Sequence, residues 1–71
     1  PSLSEAVPGD LAFFANDDGK VYHVGLILSP NEIVHSSGYV HRDRLDEKGI
    51  FNLRNQVYTH KLFSISRVSA L

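Results

Sequence analysis

Apolar positions in this chain come in short runs rather than at helical spacing. Leu11 to Ala15 is a nearly continuous apolar run and reads as a buried strand. Val21 to Leu28, rich in β-branched and aliphatic residues, is the clearest strand. Between them, Asn16-Asp17-Asp18-Gly19 marks a turn. Ser29-Pro30-Asn31 turns the chain again, and Ile33 to Ser36 continues as the second arm of a hairpin before Ser37-Gly38 breaks it. Residues 1–9 form an irregular lead-in closed by Pro8-Gly9. Residues 42–50 are charged, with Gly49 near their end, which predicts a loop with at most one turn of helix. Asn52 to Tyr58 is assigned a short helix. His60 to Val68 alternates, with Phe63 and Ile65 on one face and Leu62, Ser64 and Ser66 on the other, the pattern of a half-buried strand. The sum is four or five short strands with little helix, an antiparallel sheet or partial barrel. A lone sheet of this kind needs a layer to cover its apolar face.

Composition narrows the chemistry. With 71 residues the chain is at most one small domain, of a size that is often marginal alone. It has no cysteine, so disulfides and zinc–thiolate sites are excluded. Net charge is −1 with both signs mixed along the chain, which is not the footprint of a nucleic-acid binder. No apolar run reaches membrane-spanning length. The first residues lack the charged-then-apolar layout of a signal peptide.

Four histidines supply the candidate chemistry, histidine being the side chain suited to general base work near neutral pH. By strand parity His23 shares a face with Val21, Gly25 and Ile27. The opposite face, Tyr22, Val24, Leu26 and Leu28, is an apolar set suited to the core. Gly25 leaves open space beside the His23 imidazole, or marks a bulge. Taken alone, these residues favour a histidine hydrogen-bonded on a sheet surface. His35 ends the next strand and gains meaning as a partner across the hairpin, because a base histidine needs a polar group to fix its tautomer and ring orientation. A two-residue turn would set His35 opposite Leu26, on the face away from His23. An odd loop or a β-bulge is therefore required. A three-residue loop Pro30–Glu32 would set His35 opposite Ile27, roughly 13 Å from His23 along a flat strand. His41 and His60 read as surface residues. A metal site built on His23, His35 and His41 lacks a carboxylate or cysteine at a recognisable ligand spacing, and no metal or cofactor is expected.

Three segments in order carry a family resemblance. Val7-Pro8-Gly9-Asp10-Leu11-Ala12-Phe13-Phe14, Tyr22-His23-Val24-Gly25-Leu26-Ile27-Leu28 and Ile33-Val34-His35-Ser36-Ser37 resemble the "PGDLvFF", "HVGIYL" and "iiHas" elements of NlpC/P60 cysteine peptidases. Each is weak alone, and the ordered set is specific. The match covers about residues 7–37; the rest fits as later strands of the sheet.

The resemblance implies an α+β, papain-like fold in which residues 1–71 form the C-terminal portion of a single catalytic domain. The N-terminal, cysteine-bearing helical portion would then be absent here or a separate chain, and would be this chain's partner. It implies that His23 is the general base and His35 the residue that orients it. A thiolate beside an imidazolium at a helix N-terminus has a lowered pKa and is ready to attack a carbonyl. The implied substrate is a peptidoglycan stem peptide, cut at D-γ-glutamyl-diamino acid links, in a bacterial cell envelope or secreted setting. Asp10 falls in the matched motif, but between a turn and a strand its expected role is to accept backbone N–H groups. His35-Ser36-Ser37-Gly38 superficially mimics a nucleophile motif. It follows the HVG strand instead of preceding it and has no helix after it, so Ser36 is not a substituted nucleophile. Two other classes stay open: a small SH3-like peptide or glycan binding module, and a degenerate, non-catalytic peptidase scaffold.

Overall fold

The computed structural model describes residues 2–68. A short 3-10 turn, Leu3–Glu5, leads into six strands: β1 Leu11–Ala15, β2 Val21–Ser29, β3 Glu32–Ser36, β4 Val40–Asp46, β5 Gly49–Asn52 and β6 Val57–Ser66. Each strand pairs antiparallel with the next, and β6 pairs back onto β1, closing the barrel. The expected partial barrel is thus a complete one, and closure removes the exposed sheet edges that an open sheet would leave.

The strands at β1, β2 and β3 fall where the apolar runs lie. Residues 42–50 do not form the expected loop. They are most of a hairpin, β4–β5, turning at Glu47-Lys48, where Asp46 accepts the Lys48 N–H at 2.8 Å. The assigned helix at Asn52–Tyr58 is a turn running into β6, with Asn52 accepting the Asn55 N–H at 2.7 Å and Gln56 at φ 60°. In β6 the register against β1 slips at Phe63, so Leu62 packs against the core with Ile65 while Phe63 points to solvent. A simple alternation puts Phe63 and Ile65 together; the bulge separates them.

The interior is filled by Ala12, Phe14, Ile27, Ile33, Leu45, Ile50 and Ile65. This corrects the expected facing of β2. The inward set is His23, Gly25 and Ile27, whereas Tyr22, Val24 and Leu26 face outward and are 55%, 47% and 42% exposed. The outer face of β2 is the more apolar of the two, so composition pointed to the wrong side. The barrel buries its own inner face, and the apolar surface still uncovered is the outer one.

Asp10 fastens the closure. It is buried, accepts the Val7 N–H at 2.9 Å, and receives the Arg67 guanidinium at 3.1 and 3.2 Å. Arg67 also donates to the Glu5 carbonyl at 3.0 Å. The lead-in and the segment after β6 are thereby tied across the seam where β1 meets β6, in the structural role expected of Asp10.

Candidate active site

The β2–β3 hairpin meets the condition that lets His23 and His35 cooperate, and it does so by a bulge. Ile27 lies opposite Ile33 and Gly25 opposite His35, with the register shifting between Ile27 and Ser29. His35 therefore faces Gly25, not Ile27, and lies two residues along β2 from His23 instead of four. The span to bridge falls to roughly 7 Å at about 3.3 Å per residue. Gly25 is needed for packing rather than for open space. A Cβ there would sit 2.5 Å from Ile33 Cδ1, so the isoleucine occupies the volume a side chain would take.

His23 Nε2 lies 2.9 Å from His35 Nδ1, with the two rings nearly perpendicular at 87°. On its other edge, His35 Nε2 lies 2.7 Å from Asp43 Oδ2. Both His35 and Asp43 are buried, at 4% and 3% exposure. Asp43 is held by the Leu53 N–H, donated to Oδ1 at 3.0 Å. Strand pairing accounts for the placement: His35 is directly opposite His41 in β4, and Asp43 is two residues on, on the same inward face.

His41 and His60, expected at the surface, both belong to this cluster. His41 Nδ1 donates to the Tyr39 carbonyl at 2.8 Å, while its Nε2 lies 2.9 Å from Asp43 Oδ2, out of line for an N–H···O bond. His60 stacks on His23, with centroids 4.0 Å apart and planes 20° from parallel, and Tyr22 stacks on His60 at 5.6 Å. Phe14, opposite His23 in the β1–β2 register, closes the cluster toward the core at 5.7 Å.

Burial, followed by the neighbouring His35, lowers the pKa of His23, so its ring is a free base at neutral pH. The same causes act more strongly on His60: burial first, then His23 and His35, with Asp43 opposing, bring it to about 4. For Asp43, burial pushes upward, but the hydrogen bonds from His35 and Leu53 and the nearby His41 outweigh it and the pKa is lowered. Asp43 is therefore a carboxylate.

Two groups, His23–His35–His60 and His35–His41–Asp43, bring potential ligand atoms within 4.8 Å of one another. Neither has the shape of a preformed metal site. The stacked planes of His23 and His60 cannot both contain one ion, although an imidazole lone pair lies in its ring plane. In the second group, His35 Nε2 and Asp43 Oδ2 at 2.7 Å are closer than the roughly 3.3 Å between ligands that tetrahedral bonds of about 2.0–2.1 Å require. A shared proton fits that separation. The carboxylate that the metal reading lacked is nonetheless present, as Asp43.

Asp43 was missed because residues 42–50 looked like loop. The signal was the spacing His41-x-Asp43, which puts both side chains on one face once the segment is a strand. His60 gave no such signal, because simple alternation sets it on the face away from Ile65 and only the slip at Phe63 brings the two to one side. The structure brings His23 and His35 together and adds Asp43, His41 and His60. His23 also lines a shallow outer groove with Phe13, Tyr22, Val24 and Ser36.

The model of the NlpC/P60 family matches residues 2–67. No curated protein and no solved structure matches the chain. Among the described residues, no helix is long and apolar enough to cross a membrane.

Proposed function

The chain belongs to the NlpC/P60 family, a family of cysteine peptidases, and from that premise we propose that it is the base-bearing C-terminal portion of a cell-wall peptide hydrolase. The single observation that carries this reading is the His23–His35 hydrogen bond at 2.9 Å. It uses His23 Nε2, and Nδ1 has no hydrogen-bond partner among the described residues, at a side chain that lines an outer groove. A histidine held by one nitrogen and open at the other is the arrangement a general base requires.

In this reading His23 takes the proton of a cysteine thiol supplied from outside these 71 residues, which contain no cysteine. The thiolate attacks an amide carbonyl of a peptidoglycan stem peptide, the amine leaves with the proton returned by His23, and water hydrolyses the thioester. His35 orients the His23 ring. The complementary portion is a helical layer carrying the cysteine, making up a papain-like α+β domain. The outward apolar residues Tyr22, Val24, Leu26 and Phe63 support this, because they form the surface such a layer would cover. D-γ-glutamyl-diamino acid links are the proposed scissile bonds, and the cell envelope or its exterior the proposed setting.

The test is hydrolysis of muropeptides by the complete reading frame that encodes this chain. Cleavage at the γ-glutamyl link is expected. A frame without a cysteine ahead of residue 1, or a complete domain that leaves muropeptides intact while a related active enzyme cleaves them, would overturn the proposal. A second reading has one observation in its favour: the closed six-stranded barrel is also the architecture of a small binding module. Under that reading His23→Ala leaves ligand binding intact, and the histidine hydrogen bond has no consequence for function.

A further inference from the structure

Hydrogen-bond chemistry fixes more about this site than the identity of the base. A neutral imidazole has one N–H donor and one bare acceptor nitrogen, and the partner of one nitrogen decides the state of the other. Asp43 is an ionised carboxylate and can only accept. The short contact at Oδ2 therefore places the His35 proton on Nε2. His35 Nδ1 is then bare and must accept, so the 2.9 Å contact with His23 is donated by His23 Nε2–H. The remaining His23 nitrogen, Nδ1, is left without a proton.

We propose that Asp43 is a positioning residue of the site: acting through His35, it sets the tautomer of His23 so that Nδ1, the nitrogen not bonded to His35, is the basic one. The inference rests on the peptidase reading for its purpose but not for its chemistry. Asp43 touches neither nucleophile nor substrate in this scheme. Its own orientation is fixed by the Leu53 N–H at 3.0 Å and by burial among β3, β4 and the turn before β6. The titratable groups facing it are His35 and His41, with His60 and His23 beyond His35.

His41 approaches the same carboxylate oxygen as His35. With its Nδ1–H donated to the Tyr39 carbonyl, a neutral His41 leaves a bare Nε2 at 2.9 Å from the carboxylate, out of line with it. Two acceptors are then neighbours, which a proton on Nε2 would convert into an ion pair. An asparagine at position 43 changes this balance. Its carbonyl oxygen can keep the Leu53 N–H, and its amide NH2 then stands in place of Oδ2 at His35 Nε2, where it donates. His35 must then carry its proton on Nδ1 and donate to His23 Nε2, and His23 carries its proton on Nδ1. The same shape gives the opposite relay, with the base capped by its own proton.

The test reads the protonation of each ring nitrogen by proton–nitrogen correlation NMR on the 15N-labelled chain near neutral pH. For the wild type, Nε2–H is expected at both His35 and His23. For Asp43→Asn, both protons are expected to move to Nδ1, with the amide spectrum showing the barrel retained. A wild type in which His23 holds its proton on Nδ1 would overturn the inference, as would an Asp43→Asn chain whose His23 and His35 tautomers match the wild type. If Asp43→Asn does not fold, the wild-type spectrum alone decides by the same criterion. Failure of the peptidase reading is separate: it shows as absent hydrolysis by the complete reading frame, with the tautomers as expected.

Discussion

The two ends of the barrel interior are built from the same strands and the same inward parity, yet they hold opposite chemistry. At one end Ile27, Ile33, Leu45 and Ile65 pack into a dry core with Ala12, and Ile50 joins them at the border, opposite His60. At the other, His23, His35, His41, Asp43 and His60 fill the corresponding inward positions, with Phe14 between the two sets. Burial of apolar surface stabilises the first end at about 25 cal/mol per Å2. The second end holds polar groups that would each cost free energy without a partner; His23, His35 and Asp43 bond to one another, while His41 Nε2 is left without a hydrogen bond among the described residues. Stability and chemistry are separated along the barrel axis, not among loops.

The largest stability effect is expected at the apolar end. Ile27→Ala removes a fully buried side chain and should cost about 2–5 kcal/mol, measured by denaturant unfolding. A loss under 1 kcal/mol would mean the interior is not packed as described. Gly25 sits at the junction between the two ends, and Gly25→Ala should cost about 1–3 kcal/mol because its Cβ must displace Ile33. It should also perturb the His35 ring signals, since His35 lies opposite; unchanged signals would break the link between the two regions.

The polar end should govern the acid response. His60 has an ordinary pKa of 6.5 that burial and its histidine neighbours lower to about 4 in the folded chain. Between those values the unfolded chain binds a proton that the folded chain does not, so stability is present above about 6.5 and falls as pH drops toward about 4. His23 adds a loss of the same sign. In His60→Phe this decline should shrink, and an equally steep decline would assign the acid response to other groups. The smallest effect is expected outside the barrel. Val24→Ser, on an exposed face, should change the stability of the chain by about 0.5 kcal/mol or less. A larger change would show that the outer face is already packed against something.

The same division explains how much was legible in the sequence. The hairpins that carry the apolar end, β1 to β3, follow directly from apolar runs and turn residues. Strand β4 was hidden because its inward residues at the polar end are His41 and Asp43 while its outward ones are Arg42 and Arg44. No apolar alternation survives in a strand whose inner face carries the site. His23 and His35 were recoverable from motif order, and parity stated the bulge they require. Only the register showed that the bulge brings His35 opposite Gly25. Asp43 and His60 needed the barrel to close before their strands could be seen to point at the histidine pair. The inward facing of His23 could not be read from β2, because its more apolar face, Tyr22, Val24 and Leu26, is the exposed one.

The most direct test of the account is the turnover of a D-γ-glutamyl-diamino acid peptide by the complete reading frame, compared between wild type and His23→Ala. The account predicts that the wild type cleaves the peptide and that His23→Ala loses about 10²–10⁴-fold in rate while retaining the folded barrel. A His23→Ala protein that cleaves as fast as the wild type would contradict it.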